Sequence, residues 1–476
     1  MKIEITKTIV KNNDIAILAE KNSNFSDFNF SEKETIFIQK NINDDKNIIK
    51  INQYDRLVFI IIIDKKKKNY KTKENARKAA YNILKHLDDN KTKNFIIYNN
   101  TFESDITLAF LEGLLLSNYS FNKYFTKELD KKQKTLSSIK VLDKKVNNKD
   151  IEKIQTIVES VFIARDLVNE PFSGLNSVEL ADKLVEFSKV AGYKIDVLKK
   201  KQIETLKMGG LLTVNRASKI PPTFSILEWK PENATNKKPL ILVGKGIVFD
   251  TGGYNLKPGV YMNDMKSDMG GAAAVAGTMY AISKLKVPVH VIGLIPSTDN
   301  LIGKDGYVTG DIIKMHNGMT VEVKNTDAEG RLILADALSY AKKFSPELVI
   351  DIATLTGTAG RAVGDLATAM MAKASKKTKK TLLKSGKETY ERVIEFPLWA
   401  EYGETLKSKI ADIKNLGGIS AGHITAAKFL EHFTDYQWVH FDIASNAFLD
   451  TKKDYRGEGG TGVSTRLLIN FIQNYI

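Results

Sequence analysis

The sequence predicts an α/β protein. Its C-terminal domain has a central, mostly parallel sheet flanked by helices, and a smaller N-terminal α/β domain precedes it. Three observations carry this expectation. From about residue 170 onward, near-continuous apolar runs recur, as strands buried on both faces require. Helical stretches alternate with them, the pattern of a sheet covered by helices. A polar, lysine-rich segment, "DKKQKTLSSIKVLDKKVNNKD" at 130–150, separates this part from a first one with its own alternation of strand and helix.

In the first part, "RLVFIIIID" reads as a buried strand and "ENARKAAYNILKHL" as an amphipathic helix. "KNFIIYN" follows as a strand and "ITLAFLEGLLLSNYSF" as a further helix. "KDIEKIQTIVESVFIARDLVN" predicts a helix that stops where Pro171 and Gly174 break it. In the second part, "PLILVGKGIVFD", "VHVIGLIPS", "ELVIDIATLTG" and "YQWVHFDIAS" read as strands. "GGAAAVAGTMYAISKL" and "RLILADALSYAKKF" read as helices between them. The expected division is 1–148 for the N-terminal domain, 149–169 for a linking helix and 170–476 for the C-terminal domain.

Composition excludes several classes. Hydrophobic residues make up 43% of the chain and charged residues 27%, as in ordinary globular proteins. The longest apolar run, "LVFIIII" at 57–63, falls far short of the roughly 20 residues of a membrane span. The start lacks the apolar core of a secretory signal, so a cytoplasmic location is expected. With no cysteine, disulfide and thiolate chemistry are excluded. The net charge of +15 comes mostly from lysines spread through a Lys/Asn/Ile-biased first part, without interleaved aromatics. This reads as compositional bias, with nucleic acid or another polyanion as the alternative partner.

The chemistry concentrates at strand ends. "LVGKGIVFDTGGYNLK" supplies Lys245, Asp250 and Lys257; "MNDMKSDMGGAAAV" supplies Asp264 and Asp268; "KNTDAEGRLILADAL" supplies Asp327, Glu329 and Arg331. In an open α/β sheet such ends line the ligand crevice. Four carboxylates converging there, Asp250, Asp268, Asp327 and Glu329, would repel one another and raise each other's pKa. Divalent cations resolve the repulsion, as in co-catalytic hydrolases whose two ions lie about 3.5–4 Å apart. The six histidines form no HExxH or paired-ligand pattern, so oxygen ligation is expected, admitting Zn, Mn, Co or Mg. His440 reads as a packed core residue and Asp264 as a solvated one. A two-metal phosphatase would suit the same ligands, but the "GKG" at 244–246 is no phosphate loop. Thr326 to Glu329 also fits a capping box. Gly330 resists that simpler reading, because glycine in a first helical turn costs roughly 1 kcal/mol and suggests a close approach to the backbone.

"VGKGIVFDTGGYNLK", "DMKSDMGGAAA" and "NTDAEGRL", in that order, resemble the signature of the leucyl aminopeptidase family, the two-metal M17 peptidases. "ARDLVNEPFSGL", "TLTGTAG", "GHITAAKFLEHF" and "VHFDIAS" resemble further family segments, and "EGLLLSNYSFNKY" resembles the end of the family's macro-like N-terminal domain. The resemblance covers most of 110–476. It implies a metal-dependent leucyl-type aminopeptidase, a homohexamer, that uses two divalent ions per subunit, Mn or Zn. The metal ligands would be Lys245, Asp250, Asp268, Asp327 and Glu329, with Asp250 and Glu329 bridging. Lys257 and Arg331 would be the catalytic pair, the latter holding bicarbonate as general base. Met265, Thr354, Gly357, Ala444 and Ala447 would line the pocket for an apolar N-terminal side chain. Gly330 would let the backbone pass close to the ions. The chain departs from the family at "TGD", where Thr309 replaces a proline, and in the loop "TDNLIGKDGYV". Neither departure touches a ligand.

Overall fold

Six strands of the first part form one sheet in the order β1-β6-β5-β2-β4-β3. They are β1 (Lys2–Ile5), β2 (Asp14–Ala19), β3 (Ile48–Asn52), β4 (Leu57–Ile62), β5 (Asn94–Asn99) and β6 (Ser138–Leu142). Only β3 runs antiparallel to its neighbour. The computed structural model describes all residues except 10–11, 66–67, 100, 129–132, 419 and 476. β4, the predicted isoleucine run, is buried along its whole length. β6 corrects the sequence reading, which assigned 130–150 wholly to a polar boundary. Ile139 and Val141 are fully buried on either side of Lys140, a period-2 signal only five residues long among lysines. Residues 130–132 of that segment lie outside the described ones.

Contacts divide the chain into Met1–Val158 with Lys452–Gly457, and Glu159–Thr451 with Glu458–Ile476. The division falls inside the helix Asn148–Asn169. Within the first unit, Tyr455 is buried and its hydroxyl donates to Glu74 Oε2 at 2.9 Å.

The second unit carries the larger sheet. Its strands are β7 (Lys194–Leu198), β8 (Thr223–Trp229), β9 (Leu240–Gly244), β10 (Gly246–Asp250), β11 (Val291–Asn300), β14 (Leu348–Ala353), β15 (Thr368–Lys373), β16 (Val393–Phe396) and β18 (Trp438–Asp442). Three short strands, β12 (Ile312–Lys314), β13 (Thr320–Glu322) and β17 (Ile413–Lys414), form a separate sheet. The main order is β16-β15-β18-β14-β9-β11-β8-β7, with β10 joined to β11. The centre, β18-β14-β9-β11, is parallel throughout, as the apolar runs predict. Helices cover both faces. Ile292 and Leu294 of β11 enter a core with Leu332, Ala335 and Leu338 of the helix Glu329–Ala341 and Phe429 of the helix Gly422–Glu431. Gly293, between them, meets Val275 and Met279 of the helix Gly270–Lys284 on the opposite face. Among the described residues, no helix is long and apolar enough to cross a membrane.

One predicted strand is two. "PLILVGKGIVFD" breaks at Lys245, whose N–H donates to Ile352 O at 3.0 Å and whose carbonyl accepts from Ala272 N at 2.9 Å. β9 ends there, and β10 continues against β11 alone. The break delivers Lys245 to the carboxyl end of the sheet.

Candidate metal centre and active site

Four segments bring the predicted residues together at that end. Lys245 stands at the β9 break and Asp250 ends β10. Asp268 precedes the helix Gly270–Lys284, and Glu329 opens the helix Glu329–Ala341. Lys245 Nζ, 3% exposed, lies 2.7 Å from Asp268 Oδ1 and 2.9 Å from Glu329 Oε1, and donates to Thr354 O at 2.9 Å. Lys257 Nζ lies 2.8 Å from Asp250 Oδ2 and 2.6 Å from Asp327 Oδ1. One oxygen each from Asp250, Asp327 and Glu329 falls within 4.8 Å of the others. Thr354 Oγ1 donates to Asp268 Oδ1 at 2.8 Å, while Asp268 Oδ2 is buried without a hydrogen-bond partner.

The charges explain one another. Burial pushes the Asp250 and Asp268 carboxyls up, and Glu329 adds to both. Burial, reinforced by Glu329 and Asp250, pushes Asp327 up to about 7. Burial also opposes charge on Glu329, but Lys245 and Lys257 outweigh it and hold the carboxyl below its usual range. Both lysines are pulled above theirs: burial works against the ammonium, and the surrounding carboxylates win. A buried set of carboxylates this close demands cations. Oxygen-rich donors, one amine and an unpartnered Asp268 oxygen fit divalent ions, with Asp250, Asp327 and Glu329 as the tightest group and Lys245 and Asp268 beside it.

Gly330 finds its reason here, in the close approach that the sequence suggests. A Cβ at this position would lie 2.4 Å from Lys245 Cε and 2.6 Å from its Nζ. Glycine makes room for the lysine stem. The capping-box reading of Thr326 also fails. The helix starts at Glu329 behind Ala328, with no side-chain cap. Thr326 Oγ1 instead donates to Gly252 O at 2.6 Å and accepts from Asn255 N at 2.8 Å, tying two site loops together.

Arg331 is 5% exposed, and its NH1 donates to Asn415 O at 2.6 Å while Nε is buried without a partner. Burial lowers its pKa to about 10, although Glu329, Asp442 and Asp327 favour its charge. Of the pocket residues, Thr354 and Ala447 converge over Gly270, where a Cβ would lie 3.3 Å from Thr354 Cγ2 and 3.2 Å from Ala447 Cβ. Ala444 sits on a turn held by its N–H to Asp442 Oδ1 at 3.2 Å. Gly357 opens the helix Gly357–Val363, and Met265 lies half-buried in the turn before Asp268. His440 is the expected core residue, fully buried with Nδ1 2.6 Å from Asp351 Oδ1. Sequence reasoning missed Asn300 and Asn415. Asn300 ends a strand whose polar tail, Thr298 to Asn300, is as buried as its apolar body. Buried polar residues at a parallel strand's carboxyl end were the available signal.

Comparison with known proteins identifies the family. The cytosol aminopeptidase family's catalytic domain matches residues 162–469. A Chlorobium limicola protein described as "Probable cytosol aminopeptidase" is 40% identical over 82% of this chain and 79% of its own length. One from Geobacter sulfurreducens with the same description is 44% identical over 76% and 73%. Among solved structures, the bottromycin maturation enzyme BotP in complex with Mn aligns with a TM-score of 0.86 and 27% identity, covering 98% of this chain and 99% of that one. A tomato leucine aminopeptidase mutant aligns with a TM-score of 0.87 and 26% identity over 100% and 96%. The chain belongs to the cytosol aminopeptidase family, M17, and is a metallo-aminopeptidase.

Proposed function

We propose that this chain removes N-terminal residues from peptides by a two-metal mechanism and prefers apolar N-terminal side chains. The observation that carries the reading is the convergence of Asp250, Asp327 and Glu329 oxygens within 4.8 Å. In this reading Lys245, as the neutral amine that adjacent dications would favour, and Asp250, Asp268, Asp327 and Glu329 would hold two divalent ions, Mn or Zn, with Asp250 and Glu329 as the carboxylates that would be shared between them. Ions held there supply Lewis-acid polarisation of the scissile carbonyl and acidify water. Lys257, 15% exposed at the edge of the cluster, donates from Nζ to the developing oxyanion. Arg331, its guanidinium oriented by Asn415 O, would hold bicarbonate as the general base. A homohexamer in the cytoplasm belongs to the same reading. A polyanion-binding role through the basic surface is the alternative, and a steep fall of binding with salt would mark it.

The test is hydrolysis of a leucine anilide with and without chelator, then with each metal restored. Activity should vanish on chelation and return with Mn or Zn. Full activity in metal-free buffer would end the two-metal reading.

Specificity follows from the small floor over Gly270. None of Met265, Thr354, Gly357, Ala444 and Ala447 is charged, so a charged side chain would be buried unpaired at a cost of several kcal/mol. An apolar one gains about 0.8 kcal/mol per buried CH₂. Leu and Met anilides should therefore be cleaved far faster than Asp or Glu. Ala447→Leu should depress kcat/KM for Phe more than for Ala. Equal rates for Glu and Leu, or an unchanged Phe/Ala ratio in the variant, would show that the pocket lies elsewhere.

A further inference from the structure

Asn300 is the last residue of β11 and is fully buried. An irregularity in the β10–β11 pairing between Ile247 and Asp250 sets it opposite Asp250. Its Nδ2 donates to Asp250 Oδ1 at 2.8 Å and to Thr326 O at 3.1 Å, with Glu329 Oε2 at 3.5 Å. The reverse orientation of the amide would set its carbonyl oxygen against two carboxylates and a backbone carbonyl, so the chemistry of the acceptors fixes it. Its backbone carbonyl accepts from Thr251 N at 2.9 Å and Thr251 Oγ1 at 2.8 Å, while its side-chain Oδ1 is buried without a hydrogen-bond partner. The residue is therefore held from behind by the Thr251 turn while its amide reaches forward to the carboxylates.

Asp250 Oδ1 also accepts from Gly252 N at 2.8 Å. Two N–H donors thus occupy one oxygen of this carboxylate, while Oδ2 faces the Lys257 ammonium.

We propose that Asn300 is a positioning residue for the metal centre: it commits Asp250 Oδ1 to hydrogen bonds, reserves Oδ2 for cations, and ties the Asp250 strand end to the Thr326–Glu329 segment. The inference rests on the two-metal reading above. A neutral amide suits the task because it donates without adding a charge. A shorter hydroxyl would not span the gap, and an apolar side chain would leave Asp250 Oδ1 with Gly252 N alone.

Equilibrium dialysis against Mn(II), on the wild-type protein and on the folded Asn300→Leu and Asn300→Ser variants, tests it. Asn300→Ser, smaller and polar, keeps the test open if the leucine variant misfolds. Metal affinity should fall at least about tenfold in the variants, the scale for losing a group that orients a metal ligand. At saturating Mn, kcat for a leucine anilide should stay depressed while KM moves less than about twofold, because Asn300 touches a ligand and not the substrate. Two ions bound with wild-type affinity by a folded variant would overturn the assignment. A wild-type protein that binds no Mn would instead overturn the two-metal reading itself.

Discussion

Glu329→Ala should abolish turnover and release at least one metal ion while leaving the fold in place. Glu329 opens its helix beside Lys245 and contributes to the tightest group of carboxylate oxygens. Its loss leaves the Lys245 ammonium with Asp268 and opens the side of the centre that Glu329 closed. Breaking one partner from a buried ion pair costs about 3–5 kcal/mol locally. The apolar core of Leu332, Leu338, Val349 and Phe429 does not include Glu329, so cooperative unfolding should survive. Metal content by elemental analysis, anilide hydrolysis and far-UV circular dichroism, read together, check this. A variant that retains both ions and full activity would remove Glu329 from the ligand set.

Lys257→Ala should lower kcat by about 10²–10³, the scale of removing one oxyanion donor, with metal content unchanged. Its Nζ pairs with Asp250 and Asp327 from the open edge of the cluster, whereas the Lys245 ammonium is sealed inside. That contrast separates a group that can turn to a substrate from one that cannot. A stoichiometric loss of metal in Lys257→Ala would make Lys257 a ligand and overturn the assignment.

The sheet core was legible because β4, β14 and β18 are buried on both faces and read as near-continuous apolar runs. β6 was not, because two inward side chains among lysines leave too little periodic signal. The charged members of the site were legible as residue types at strand ends, and the octapeptide "NTDAEGRL" pointed to the family that the match over 162–469 then established. Thr326 was misread because its hydroxyl can serve a local cap or a distant loop equally well, and only the fold decides between them. Asn300 donates to a carboxylate and Asn415 offers its backbone carbonyl to a guanidinium, each far away in sequence, so no local pattern announces them.

The fit of Lys245 into its surroundings also governs how this centre is inherited. A side chain at Gly330 would collide with the lysine stem, and one at Gly271 would lie 1.9 Å from Ile352 O and 2.9 Å from Lys245 N. A different side chain at 245 would in turn strand Asp268 and Glu329. The three positions form one epistatic unit, since contacting residues do not vary independently. Residue 309, by contrast, is exposed and meets no such constraint. A change of side-chain preference by the proposed route, substitution at Ala447, would leave that unit untouched.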